Sequence, residues 1–337
     1  MTDATPAPAA VIDPLTRFAI RRGTDKWGLH FYTPVYHALF RRMRQKPVRL
    51  LEIGIGGYGF KKIGGASLAM WADYFPNGQI TGFDIEAKEL DLGPRVTLRR
   101  GSQEDVASLA RLSEECGPFD IIIDDGSHLP RHVVASFHEL FPRMADGGIY
   151  VIEDVQTCFW PRFGGSVVDG GATMKLASLL LGSINHAEIK VEQPKVQLPG
   201  FAPRVRALHA FHNILAIEKG DNSEPSNRAY SLDNPHAARA LSVMEAELDR
   251  TPTPEGIANL VNLYITVGDH AQAESLAHDS LEKWPDNPAL LFSALMATRD
   301  PERQIGLAER FAVIDPENGQ RMIERIKANL PSTNPMS

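Results

Sequence analysis

The sequence predicts an open, mostly parallel α/β sheet that closes with an antiparallel edge hairpin, followed by an all-α region. Three observations lead there. From residue 48 onward, short apolar runs alternate with helical segments, which is the pattern of βαβ units. Two later strand-like runs, 205–211 and 214–218, are joined tightly through His212-Asn213 and read as a hairpin at the sheet edge. Beyond residue 234 the texture changes to helix pairs.

The strands are expected at 48–53, 79–84, 96–98, 119–124 and 148–153, each ending near an acid or a glycine. Helical periodicity covers 66–74, 104–115 and 131–144, with Ser102 ahead of Asp105 as a cap of the Ser-x-x-acid kind. Gly147-Gly148 breaks the chain before the fifth strand. The glycine-rich segment 158–203, with Gly164-Gly165, Gly170-Gly171 and a helix near 174–181, reads as a mobile lid. Residues 223–234 are polar and serve as a linker.

At 337 residues the chain is long enough for a main domain and an appendage, and residues 235–330 form that appendage. Leu260, Tyr264, Gly268, Ala273, Ala277 and Pro285 fall at the offsets of one tetratricopeptide unit. Leu291, Leu295, Ala308 and Pro316 continue it in a degraded copy. Such units need neighbours to bury their apolar faces, so the helix expected over 234–250 would pack beside them; an undifferentiated helical appendage is the alternative.

Composition excludes several classes. The hydrophobic share of 43% and charged share of 23% are those of folded globular proteins. A formal charge of -7 gives no general basic footprint for nucleic acid. Cys116 and Cys158 stand apart, outside any C-x-x-C spacing, which argues against a disulfide framework or thiolate zinc site and fits a cytoplasmic location. The Ala/Pro-rich start has no basic stretch leading into an apolar run, so residues 1–22 read as a flexible terminus and not a signal peptide. No apolar stretch approaches the roughly 20 residues that span a bilayer.

After the first strand comes Leu51-Glu52-Ile53-Gly54-Ile55-Gly56-Gly57-Tyr58-Gly59, whose glycines let the backbone turn tightly and approach a ligand. Asp84, ending the second strand, is placed to accept hydrogen bonds from the ribose of an adenosine cofactor. Two details tilt this away from a dinucleotide. Glu52 sits two residues before the first glycine, as in methyltransferases, and the turn runs on through Lys61-Lys62-Ile63-Gly64-Gly65 before a helix begins. A pyrophosphate would then lack a helix N-terminus, whereas S-adenosylmethionine has no phosphate to place there.

The fourth strand ends Asp124-Asp125-Gly126-Ser127-His128 and the fifth ends Glu153-Asp154. Neighbouring strands lie about 4.8 Å apart, so these side chains can converge at the carboxyl edge of the sheet. Asp125, Glu153 and Asp154 would repel one another without a cation, and all-oxygen ligation selects a hard ion, Mg²⁺ first. Asp124 supports from behind. His128 can take a proton near neutral pH and is the candidate catalytic base. Carboxylates that merely cap turns, with a surface histidine, are the alternative.

Together with Gly23-Thr24-Asp25-Lys26-Trp27-Gly28, His30-Phe31-Tyr32-Thr33-Pro34, Gly65-Ala66-Ser67-Leu68, Gly101-Ser102-Gln103 and Ile217-Glu218-Lys219-Gly220, these motifs make the chain resemble a known family. It is that of the metal-dependent sugar O-methyltransferases of macrolide biosynthesis, the mycinamicin 2''-O-methyltransferase and demethylmacrocin O-methyltransferase type. The resemblance spans residues 23–222. It implies a class I S-adenosylmethionine methyltransferase domain, Rossmann-like, with a seven-stranded sheet. It also implies Asp125, Glu153 and Asp154 as magnesium ligands and His128 as base. Glu52, Gly54, Gly56, Ser67, Asp84, Ser102, Gln103 and Asp124 would lie on the cofactor, and Tyr32 and Gln156 on the acceptor. A homo-oligomer is implied as well.

The chain departs from the family by lacking its N-terminal auxiliary domain and by adding the helical tail, so the acceptor is expected to be a sugar of a glycosylated natural product, polysaccharide or glycolipid. The tail would position a carrier or make subunit contacts. A catechol-like diol would suit the same ligands, and a non-catalytic cofactor-binding scaffold is the reading from a different class.

Overall fold

Seven strands form one sheet: β1 (Arg49–Ile53), β2 (Gln79–Asp84), β3 (Val96–Arg100), β4 (Ile121–Asp124), β5 (Ile149–Ile152), β6 (Val205–Phe211) and β7 (Ile214–Lys219). They are seen in a computed structural model that describes residues 12–226, 228 and 230–329. The order across the sheet is β3-β2-β1-β4-β5-β7-β6. β1 to β5 pair in parallel, and β7 runs antiparallel to β5 and β6. β4 and β5 are buried along their whole length, as the apolar runs Ile121-Ile122-Ile123 and Ile149-Tyr150-Val151-Ile152 require of central parallel strands. Asn213, at a φ of 62°, makes the tight turn of the edge hairpin. The strand order reverses between β1 and β4, which opens a crevice at their carboxyl ends.

One face of the sheet is covered by α1 (Pro14–Arg22), α2 (Thr33–Phe40) and α3 (Ala66–Tyr74), which bury Leu15, Tyr36, Phe40 and Trp71 against Leu50, Ile80 and Ile123. The other carries α4 (Val106–Cys116), α5 (Pro130–Leu140) and α6 (Gly171–Ile184), with Leu109, Phe137, Phe141 and Leu180 packed on Ile122, Tyr150 and Ile217. Each large apolar side chain removed from water contributes about 1.5–3 kcal/mol, so these two layers hold the strand ends in register.

The structure corrects the N-terminal expectation. Residues 1–11 lie outside the described residues, but Pro14–Arg22 is helix and not flexible tail. Asp13 caps it by accepting from the Thr16 amide at 2.9 Å, Pro14 opens it, and Gly23 ends it at a φ of 70°. Leu15 and Ala19 pin it to the core. The cap of α4 is also not Ser102 but Asp105, which accepts from the Ala107 amide at 3.1 Å. Segment 158–203 is only partly loop: Leu176 and Leu180 dock α6 into the core, while Leu181 on the same helix and Phe159, Trp160, Val167 and Val168 ahead of it are exposed. α7 (His186–Glu192) follows α6.

The chain divides into two compact units, the second comprising Lys190–Pro194 and the residues from Glu224 onward. That unit is helical: α8 (Pro235–Arg250), α9 (Pro254–Val267), α10 (His270–Lys283), α11 (Pro288–Ala297), α12 (Pro301–Ile314) and α13 (Pro316–Ala328). Its boundaries follow from capping. Asn234, Thr253, Asp269, Asn287, Asp300 and Asp315 each accept a first-turn amide, and proline opens every one of these helices except α10. Leu260, Tyr264, Ala273, Ala277, Leu291, Leu295 and Ala308 are all buried in its core, and Gly268 turns α9 into α10 at a φ of 87°. No helix among the described residues is long and apolar enough to cross a membrane.

Candidate active site and metal centre

The carboxyl ends of β1, β4 and β5 bring the acids together. Gly54, directly after β1, has a φ of +93°, and a Cβ there would lie 2.1 Å from the Asp125 carbonyl oxygen. Only glycine permits the two strand ends to approach this closely. Asp124 and Asp125 point opposite ways, as successive residues leaving a strand do. Asp124 turns into the core, where it accepts from Gln103 Nε2 at 2.5 Å, Ser136 Oγ at 2.6 Å and the Tyr150 hydroxyl at 3.0 Å. Asp125 turns outward, 26% exposed at its side chain.

Asp125, His128 and Asp154 each offer one ligand atom, all within 4.8 Å of one another. His128 Nε2 lies 3.9 Å from Asp125 Oδ1 and 3.7 Å from Asp154 Oδ2. Two carboxylates and an imidazole at this spacing suit a divalent cation. His128 and Asp154 both adopt left-handed backbone, at φ of 57° and 49°, a conformation costly for residues with a Cβ that gathers at functional sites.

Glu153 lies on the other side of Asp125. Lys26, 1% exposed at its side chain, places its ammonium 2.7 and 2.9 Å from the two Glu153 oxygens, 2.8 Å from Asp125 Oδ2 and 3.3 Å from Glu52 Oε1. The Tyr36 hydroxyl also donates to Glu153 at 2.5 Å. Burial and the Asp125 charge push the Glu153 carboxyl well above its usual range. Burial would lower Lys26, but Asp125, Glu153 and Glu52 overturn that and raise it. Asp154 accepts from the Tyr32 hydroxyl at 2.5 Å and Gln156 Nε2 at 3.2 Å, with His30 Nδ1 3.8 Å away. Burial would raise Asp154, yet the Tyr32 hydrogen bond and His128 hold it below its ordinary value. The strap from Lys26 to Tyr36 thus gives each of the three acids a donor.

Several residues expected on the cofactor have other partners. Asp124 and Gln103 brace the site from behind: Asp124 is 1% exposed, and the Gln103 carbonyl accepts from the Ser127 amide at 3.0 Å. Glu52 is 0% exposed; burial pushes its carboxyl up to about 7 against the pull of Lys26. Neither of its oxygens completes a hydrogen bond, though Ser67 in the first turn of α3 faces it. Asp84 accepts from the Ile55 amide at 2.8 Å and the Glu86 amide at 2.9 Å, which steadies the glycine-rich turn and leaves about two of its acceptor positions open. Gly56 has nothing near its missing side chain, and Ser102 lies half-buried between β3 and α4. Sequence reasoning missed Lys26, His30 and Tyr36; the signal available was their place in and just after the Gly23–Gly28 motif.

Residues 62–155 match the family model of the methyltransferase domain. The MycE methyltransferase of the mycinamycin biosynthetic pathway, solved with Mg, SAH and mycinamycin VI, superposes with a TM-score of 0.56 at 40% identity, over 63% of this chain and 56% of that one. The fold is that of the class I methyltransferases. Among the curated relatives that the chain matches are the 8-demethyl-8-(2-methoxy-alpha-L-rhamnosyl)-tetracenomycin-C 3'-O-methyltransferase of Streptomyces olivaceus and the demethylmacrocin O-methyltransferase of Streptomyces fradiae. They are 44% and 46% identical over 215 residues, 62% of this chain and 55% and 54% of theirs. The chain spans about half the length of the curated relatives it matches.

Proposed function

We propose that the protein is an S-adenosylmethionine- and Mg²⁺-dependent O-methyltransferase acting on a sugar hydroxyl of a glycosylated acceptor, such as a natural product, polysaccharide or glycolipid. The observation that carries this reading is the Asp125, His128 and Asp154 cluster beside the glycine-rich turn at the switch point of the sheet. The similarity to enzymes named for methylating sugar hydroxyls supports it.

In this reading Asp125 and Asp154 offer the open ligand oxygens, and Glu153 completes the carboxylate set. A divalent cation held there would supply Lewis-acid chemistry to the acceptor, and S-adenosylmethionine would supply the electrophilic methyl group. His128 Nε2 accepts the proton that the acceptor hydroxyl gives up. Tyr32 and Gln156 fix Asp154 and border the acceptor, where the Gln156 carbonyl is buried without a hydrogen-bond partner. The catalytic domain is assigned to residues 23–222 together with α1, with the exposed part of 158–203 over the site, 223–234 as linker and 235–330 as a tetratricopeptide-like unit for carrier or subunit contacts. Homo-oligomerisation and a cytoplasmic location complete the proposal.

The test is release of S-adenosylhomocysteine across a panel of glycosides and catechols, with Mg²⁺ or EDTA. Turnover is expected with a glycoside and lost in EDTA. His128→Ala should retain Mn²⁺ binding and lose at least about 100-fold in kcat. Turnover of catechols alone would move the acceptor class, EDTA-insensitive turnover would remove the metal role, and loss of Mn²⁺ binding in the variant would make His128 a ligand.

A further inference from the structure

Lys26 has no counterpart in the chemistry just proposed, yet its ammonium sits among three acids that come from three different strand ends. Glu153 accepts from it through both oxygens, Asp125 through Oδ2, and Glu52 forms an ion pair at 3.3 Å. The opposite oxygen of Asp125, Oδ1, faces His128 and the divalent cluster. Asp125 therefore stands between two cation positions, one occupied by the chain's own ammonium and one open to an ion. Carboxylates that bridge two metal ions about 3.5–4 Å apart have this arrangement.

We propose that Lys26 is a built-in cation that keeps the site mononuclear, filling a second cation position formed by Glu52, Asp125 and Glu153. The geometry supports this: oxygens of Glu52, Asp125 and Glu153 converge on the Lys26 ammonium at 3.3, 2.8 and 2.7 Å, so removal of the ammonium would leave a position ringed by carboxylate oxygens for a second divalent ion. Both oxygens of Glu52 are buried without a hydrogen bond and Oε1 has only the 3.3 Å ion pair with Lys26, so the second position holds acceptor capacity beyond what the ammonium takes. Lys26 is in this sense a positioning residue: it holds Glu153 and one oxygen of Asp125, and leaves the other Asp125 oxygen and about one acceptor position of Glu153 to the ion. The inference rests on the metal reading above, and its test separates the two.

Metal-free protein is titrated with Mn²⁺ and followed by electron paramagnetic resonance, with folding checked by circular dichroism. Wild type is expected to bind one Mn²⁺ per chain with a mononuclear spectrum. Lys26→Ala, and Lys26→Met as a second variant that keeps an apolar stem, are expected to bind two with a spin-coupled spectrum. Addition of ethylammonium to Lys26→Ala should return the stoichiometry to one. A merely structural lysine would not change the ion count. Two Mn²⁺ in wild type, or one in both folded variants, overturns the role of Lys26 while the metal site stands; none in wild type overturns both.

Discussion

Glu52→Gln offers a quantitative test of the electrostatics at the end of β1. The side chain is 0% exposed, and burial lifts its carboxyl from 4.5 to about 7. At pH values between these two, the folded chain holds a proton that the unfolded chain has released. Stability attributable to Glu52 is therefore greatest below 4.5, falls as pH climbs towards 7, and levels off above it. At about 1.4 kcal/mol per pH unit the full loss is about 3 kcal/mol, of which about 2.5 falls between pH 5 and 8. Glutamine keeps the shape and cannot ionise, so the difference between variant and wild type should move in favour of the variant by that amount over the range. Urea unfolding with EDTA present, read by tryptophan fluorescence in a Trp284→Phe background, confines the signal to the sheet domain, because Trp27, Trp71 and Trp160 all lie there. A difference independent of pH would mean that Glu52 is ionised throughout and that Lys26 fully compensates it.

Two further expectations concern the frame around the site. Asp124→Ala removes the acceptor shared by Gln103, Ser136 and Tyr150 and should cost about 2–4 kcal/mol in the same urea assay, while Asp124→Asn should cost less. Gly57→Ala would set a Cβ 2.0 Å from the Ile63 carbonyl oxygen at a φ of +71°; S-adenosylhomocysteine binding by calorimetry should weaken by about tenfold or more if the glycine-rich turn holds the cofactor.

The sheet was legible because β4 and β5 are uninterrupted apolar runs and β1 and β2 largely apolar ones, stopped by Gly54, Asp84, Asp124 and Glu153, and sequence alone carries that punctuation. α1 was hidden behind an Ala/Pro-rich start, although Asp13, Pro14 and Gly23 are the cap, opener and terminator of a helix. Asp125 was read as a ligand and Asp124 as support from behind it; the pleat accounts for the difference, since it sends Asp124 into the core and Asp125 to the cavity. Lys26 is the deepest omission, for a physical reason. A lone lysine reads as surface, and its partners Asp125 and Glu153 stand 99 and 127 positions away, joined to it only when the strap closes over the strand ends.

The backbone conformations at His128 and Asp154 explain how adjacent residues can serve one cavity. In a regular strand Glu153 and Asp154 would point to opposite faces, yet both acids border Asp125 and its surroundings. The left-handed turn at Asp154 redirects the chain immediately after β5, and the one at His128 folds the imidazole back over Asp125. Each such residue costs on the order of 1–3 kcal/mol, which the surroundings must offset. Thr157 does so for both: its hydroxyl lies 2.7 Å from the Asp154 carbonyl oxygen and 3.3 Å from that of His128. A single buried side chain thus couples the two strained turns, so that the spacing between the proposed base and the proposed ligand is set by backbone geometry and not by side-chain rotamers alone.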